Sequence, residues 1–222
     1  MINSPKTLIK TLASITITIL CLTTNKINTK DTLTGAARAK ASTRTRTNIQ
    51  GAKMFSLSRP KPDPIKEGEE SVWDYPRPPR LEKVDKKIEV FFNGQKIVEA
   101  DGGYRILETS HPPTYYIDPK GFKLEYFKSA GRGGSFCEWK GYASYYDVEV
   151  DGKKAAGAAW TYKTPTGMYS VIKDHIAIYA AKMDYCTVGG EKVTPQPGNF
   201  YGGWITSWVK GPFKGIPGSM GW

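Results

Sequence analysis

Beyond residue 70, apolar and polar residues alternate along most of the chain with a period of two. Ile88-Glu89-Val90-Phe91-Phe92 and Gln95-Lys96-Ile97-Val98-Glu99 carry this pattern on either side of Asn93-Gly94. An Asn-Gly pair between two such runs predicts a tight hairpin, because both turn positions need positive φ. The pattern returns in Tyr104–Thr109, Thr114–Ile117, Phe122–Phe127 and, at greatest length, Tyr142–Val150. Asp151-Gly152 predicts a second hairpin, with Ala155–Tyr162 pairing back, and His175–Tyr179 reads as a further strand. Only Thr166–Asp174 offers a helical spacing, and it is short. Ahead of these runs, Trp73-Asp74-Tyr75-Pro76-Arg77-Pro78-Pro79 predicts an extended arm, since proline fixes φ and removes the backbone donor. Trp73 and Tyr75 are expected to pin that arm to the body. Past Pro195 the chain is rich in glycine and proline and reads as loop. Short strands separated by turns predict an all-β, mainly antiparallel domain with one or two short helices. No segment has the strand, Gly-rich loop and helix order of a dinucleotide or P-loop unit.

Charge changes the picture only through its position. The 222-residue chain has a net charge of +11, which invites a nucleic-acid reading. Residues 1–61, however, hold eleven of the 32 Lys and Arg and a single acid, Asp31. Residues 62–222 are left with 21 basic and 20 acidic side chains and are close to neutral. A near-neutral domain lacks the electrostatic footprint of a DNA or RNA binder, so no nucleic-acid partner is expected. All six Trp and all thirteen Tyr lie beyond residue 72, which places the core there.

The first 60 residues read as targeting sequence. Lys6 and Lys10 precede the uncharged run Thr11–Leu22, too short to span a bilayer and shaped like a signal-peptide hydrophobic region. Thr32–Arg59 is rich in Thr, Ala, Ser and Arg and has no acid, the composition of organelle transit peptides. That order resembles the bipartite presequences of complex plastids. The expected organisation is a disordered plastid (chloroplast) presequence over 1–60, a Pro- and Glu-rich linker over 61–70, and one β-rich domain over 71–222. No stable membrane insertion of the mature domain is expected.

Candidate chemistry centres on Ser135-Phe136-Cys137-Glu138-Trp139-Lys140-Gly141. If extended, this stretch places Cys137 and Trp139 on one face and Glu138 and Lys140 on the other. Cys137 as a nucleophile needs a nearby base or cation, for which His111, Lys140 and Arg105 are candidates. Glu108, before a Pro-Pro turn, is suited to a ligand contact, to Lys140 or to a structural ion pair. Gly133-Gly134-Ser135 followed by Asp147-Val148-Glu149 has the look of a nucleotidyltransferase metal motif. The helix such a motif needs after its Gly-Ser turn is missing, and the stretch reads as a strand pair. The density of Tyr and Trp exceeds what a plain core needs, as expected of a concave aromatic ligand pocket. Candidate ligand-binding residues are Glu108, His111, Tyr116, Cys137, Glu138, Lys140 and Trp160. Cys137, Lys140 and Glu108 are also the candidate catalytic residues. His175, on an apolar strand, is expected in the core. Cys137 and Cys186 are far apart and no Cys-x-x-Cys occurs, so no structural zinc site is expected. Whether the two pair is left open, and the sequence names neither a cofactor nor a protein partner.

Six stretches together resemble the domain of unknown function 427 family, also catalogued under a nucleotidyltransferase-type label. They are Trp73–Pro79, Glu108–Pro113 with Tyr115-Tyr116, Ser135–Gly141, Ala158–Tyr162, Pro195–Gly198 with Phe200–Trp204, and Gly211–Gly215. The likeness is greatest to the cyanobacterial and plastid branch. It implies a compact two-sheet β-tent, without the paired cysteine metal ligands of related folds. It implies no established activity. Three readings follow: a small-molecule-binding domain, with a nucleotide-like ligand as one option; a nucleotidyl or Cys-dependent transferase; and a plastid structural or assembly factor contacting partners through its C-terminal aromatic tail.

Overall fold

The computed structural model describes residues 59–131 and 133–222. The presequence expected over 1–60 lies, but for its last two residues, outside the described residues. In chain order the strands are β1 (Glu70–Ser71), β2 (Arg80–Val84), β3 (Ile88–Phe92), β4 (Gln95–Ala100), β5 (Gly103–Leu107) and β6 (Thr114–Tyr116). Then come β7 (Phe127–Ser129), β8 (Ser135–Cys137), β9 (Gly141–Val150), β10 (Lys153–Tyr162) and β11 (Ile176–Ile178). The last are β12 (Tyr185–Val188), β13 (Glu191–Lys192), β14 (Thr194–Pro195), β15 (Trp204–Ile205) and β16 (Val209–Lys210). The domain is all-β and mainly antiparallel. Its larger sheets run β11-β10-β9-β7, with β8 also on β9, and β13-β12-β3-β4. A three-stranded sheet, β2-β5-β6, and two short ribbons, β14-β15 and the parallel β1-β16, complete it. The plan is thus richer than two sheets.

Both predicted hairpins form. Asn93 and Gly94 have φ of 49° and 74°, and Asp151 and Gly152 have 47° and 80°, the positive pair that matches strand twist. The helical pieces among the described residues are 3-10 turns, including Gly167–Ile172 where a helix was expected. The alternation at Phe122–Phe127 does not make a strand: Leu124–Tyr126 is a 3-10 turn, and pairing starts only at Phe127.

The β9–β10 pair carries a bulge. Ala155 faces Val148 and Ala159 faces Tyr146, so β10 holds two extra residues there. Because the excess is even, side chains keep the same face on both sides of it. Its backbone is satisfied from outside the ladder: Gly157 N donates to Asp147 Oδ1 at 2.7 Å, and Lys182 Nζ donates to Ala156 O and Gly157 O at 2.7 and 3.0 Å. Lys154 Nζ holds the other Asp147 oxygen at 2.9 Å.

One face of the five-stranded sheet presents Val148, Val150, Ala159, Ile176 and Ile178 to Ile88, Val90, Ile97, Cys186 and Val188 of the four-stranded sheet, forming the main core. The other face presents Ala143, Tyr145, Trp160, Tyr162 and Ala177 towards Ile106 and Tyr116 of the three-stranded sheet. Successive residues of β6 divide between them. Tyr115 packs on Trp204 in the main core, with ring centroids 5.2 Å apart, and Tyr116 meets Trp160 on the other side. The N-terminal arm is pinned as expected. Trp73 and Tyr75 are buried with Val72, Leu107 and Val209, and Trp73 Nε1 donates to Pro212 O at 3.0 Å. The 61–70 stretch lies along the C-terminal segment, with Asp63 N bonded to Gly211 O at 2.9 Å and Glu69 paired to Lys210 at 3.1 Å.

Candidate functional site

Between the three-stranded and five-stranded sheets opens a cleft of about 590 Å³, within the usual range for small-molecule sites. Glu108, His111, Tyr116, Cys137, Glu138, Lys140 and Trp160 all line it. They reach it from β6, β10, the turn after β5 and the β8–β9 hairpin. That hairpin is not extended throughout, as the alternation had suggested. β8 ends at Cys137, and Glu138, Trp139 and Lys140 form its turn. The expected split of Cys137 and Trp139 from Glu138 and Lys140 therefore does not hold. The glycine at 141, with φ of 93°, lets the chain double back immediately, so four neighbouring residues meet one cavity.

The inner wall is a cluster of hydroxyls. Trp160 Nε1 donates to Tyr116 OH at 3.3 Å, Ser135 Oγ and Tyr145 OH lie 2.6 Å apart, and Tyr179 OH donates to Phe200 O at 3.3 Å. Burial pushes the phenols of Tyr116, Tyr162 and Tyr179 up, so all three stay protonated near neutrality. Tyr116, Cys137 and Tyr145 add to the shift at Tyr162. Trp160 stacks obliquely on Tyr179, with centroids 4.5 Å apart. Gly202 lies against the Trp160 ring so closely that a Cβ there would sit 2.3 Å from it. At the rim, Phe136 and Phe200 are 65% and 75% exposed.

The opposite wall is polar and carries charges of both signs, Glu108 and Glu138 beside Lys140 and Lys214. His111 N closes a turn onto Glu108 O at 2.9 Å, and Ser110, at φ of 70°, is held by Val72 O and by Lys214 N, each at 2.9 Å. This turn brings His111 and Lys214 together. Gln196, flanked by two prolines and buried, orients the imidazole. Its Oε1 accepts from Gly203 N at 3.0 Å, and its Nε2 donates to Lys214 O at 2.9 Å and to His111 Nδ1 at 3.1 Å. With Nδ1 an acceptor, the neutral ring carries its proton on Nε2. Burial, then the charges of Lys214, Arg77 and Lys140, hold the His111 pKa down at about 3. Glu108 is paired with Arg77 Nε at 3.3 Å, not with Lys140. Burial, with the charge of Arg77, lowers Lys214, whose Nζ donates to Trp222 O at 2.7 Å.

Other candidates lie elsewhere. Arg105 is committed to Glu70 and Glu82 and does not line the cleft, so it is not poised to activate Cys137. Cys137 and Cys186 are both free; Cys186 belongs to the main core, where burial pushes its thiol pKa up. His175 is half-buried at the surface against Tyr104, with Nδ1 3.2 Å from Lys173 O, and is not a core residue. Sequence reasoning missed Gln196, Lys214, Arg77, Tyr145, Tyr162 and Tyr179 as parts of the site. The Pro195-Gln196-Pro197 signature was the signal available for Gln196.

Residues 80–189 match a family model described as Domain of unknown function (DUF427), labelled NTP_transf_9. The chain carries a DUF427 domain. No curated protein matches it. Two residues of the stretch that looks like a nucleotidyltransferase motif take part in local contacts of this DUF427 domain. Asp147 is engaged with the bulge and with Lys154, and Ser135, at the end of the Gly-Gly-Ser run, is bonded to Tyr145. Among the described residues no His, Cys, Asp and Glu side chains gather as a metal site, and no helix is long and apolar enough to cross a membrane.

Proposed function

We propose that this DUF427 domain binds a small organic ligand in the cleft between its three-stranded and five-stranded sheets. The observation that carries this reading is the convergence of aromatic walls, neutral hydroxyls and cationic side chains on one cavity of about 590 Å³. Phenol and indole edges offer both apolar contact and hydrogen bonds to a flat molecule. Exposed Phe136 and Phe200 at the mouth would lose water on its arrival. Glu108, His111, Tyr116, Cys137, Glu138, Lys140 and Trp160 are the proposed contacts, and Gln196 is a positioning residue that acts through His111. We also propose a plastid location, on the composition of residues 1–60.

The test is a fragment screen by protein-observed NMR on the domain, paired with native mass spectrometry of protein purified from its own cells. The expected result is a retained small molecule, or fragments whose shifts cluster at the indole N–H of Trp139 and Trp160. Shifts scattered over the surface, with no retained mass, would sink the reading.

A further inference from the structure

The cleft has donors without answering acceptors. Lys140 is only 8% exposed, yet among the described residues no carboxylate or carbonyl takes its ammonium. Its stem is buried while its Nζ still meets the solvent of the cleft, so it is a charged donor open to an anion that enters. His111 Nε2–H has no partner among the described residues either, since Gln196 fixes the ring through Nδ1. Trp139, in the same hairpin turn, has a buried Nε1–H with no partner. The acids do not cancel this excess: Glu108 is already paired with Arg77, and Glu138 is exposed at the rim.

Building on the cleft reading above, we propose that the ligand is a planar aromatic monocarboxylate, with its carboxylate on Lys140 Nζ and His111 Nε2–H and its ring among Trp160, Phe136 and Tyr201. Lys214 already gives a hydrogen bond to Trp222 O, which leaves Lys140 and the neutral His111 donor as the pair placed for the two oxygens of one carboxylate. Among the described residues the cleft offers a phosphate neither an uncommitted Arg fork nor an α-helix N-terminus. The nearby Arg77 fork is committed to Glu108 Oε1 and Thr109 O, and the helical pieces are 3-10 turns. A second ligand charge would also approach Glu108 and Glu138. The lowered pKa of His111 supports the geometry, because a neutral imidazole donates one hydrogen bond without adding charge.

The experiment titrates the full chain with 2-naphthoate, 2-naphthylmethanol and 2-naphthyl phosphate at neutral pH, reading tryptophan fluorescence and calorimetry. Naphthoate is expected to bind at least about tenfold tighter than the alcohol, a ratio worth about 1.4 kcal/mol. Lys140→Gln should remove most of naphthoate's preference over the alcohol, and Lys140→Arg should keep most of it. If the alcohol binds in the cleft and naphthoate gains nothing over it, the carboxylate proposal falls while the cleft reading stands. A phosphate that outbinds naphthoate also overturns the proposal. If none of the three binds, both readings fall together. The comparison between probes needs only the unaltered protein, so it decides even if Lys140→Gln does not fold.

Discussion

The two faces of the five-stranded sheet come from the same strands and meet different fates. Towards β3, β4 and β12, Val148, Ala159, Ile176 and Ile178 close on apolar neighbours, and the indole N–H of Trp204 is answered by Ile178 O at 2.9 Å. Towards β5 and β6, Tyr145, Trp160 and Tyr162 bring polar ends with their rings, and the cleft beside them keeps the donors of Lys140 and Trp139 unanswered. The cysteines repeat the contrast, with Cys186 sealed and Cys137 half-buried in the cleft wall. A sheet that needs stability on one side can present unsatisfied chemistry on the other, because alternate residues are independent.

The largest expected effect tests the sealed side. Trp204→Ala should cost about 3–5 kcal/mol in chemical denaturation, through lost contacts and a cavity beside Tyr115. Next comes acid. The His111 pKa of about 3 lies below the ordinary 6.5, so the fold prefers the neutral ring. That preference contributes stability above the unfolded pKa and is lost as pH falls from about 6.5 towards 3. Wild type should therefore lose about 2–4 kcal/mol more than His111→Asn across that window; equal slopes would show that the imidazole is not held neutral. Gly202→Ala should cost about 1–3 kcal/mol and shift Trp160 fluorescence, because its Cβ would overlap the ring. Asp147→Ala should cost about 1–3 kcal/mol by stripping the buried Gly157 N–H of its acceptor. Smallest is Tyr145→Phe, expected within about 1 kcal/mol for stability, with its effect falling on ligand affinity instead. A large stability loss there would make the cleft a second core and erase the contrast.

Local chemistry was legible in the sequence where it acts over a few residues. Asn93-Gly94 and Asp151-Gly152 announce their hairpins because the turn itself demands those residues. Alternation failed where a turn uses strand-like residues: Phe122–Phe127 winds into a 3-10 turn, and Glu138–Lys140 turns where extension was expected. The candidate residues came from several separate motifs, and the fold gathers them at one cleft. What supports them could not be read in advance. Gln196 reaches His111 across 85 positions, and Arg77 reaches Glu108 across 31, and no local pattern encodes such pairings. Arg105 shows the converse, a plausible activator that the strand pairing turns towards Glu82 and Glu70.

The division at β6 has a mechanical consequence. Thr114–Tyr116 is only three residues long, and its consecutive rings are anchored in separate compartments. A rigid backbone that short transmits load, so a molecule leaning on Tyr116 is felt by Tyr115 and Trp204 beyond the sheet. Filling the cleft should therefore slow amide hydrogen exchange at β6 and in the main core that touches it, although no ligand atom reaches that side.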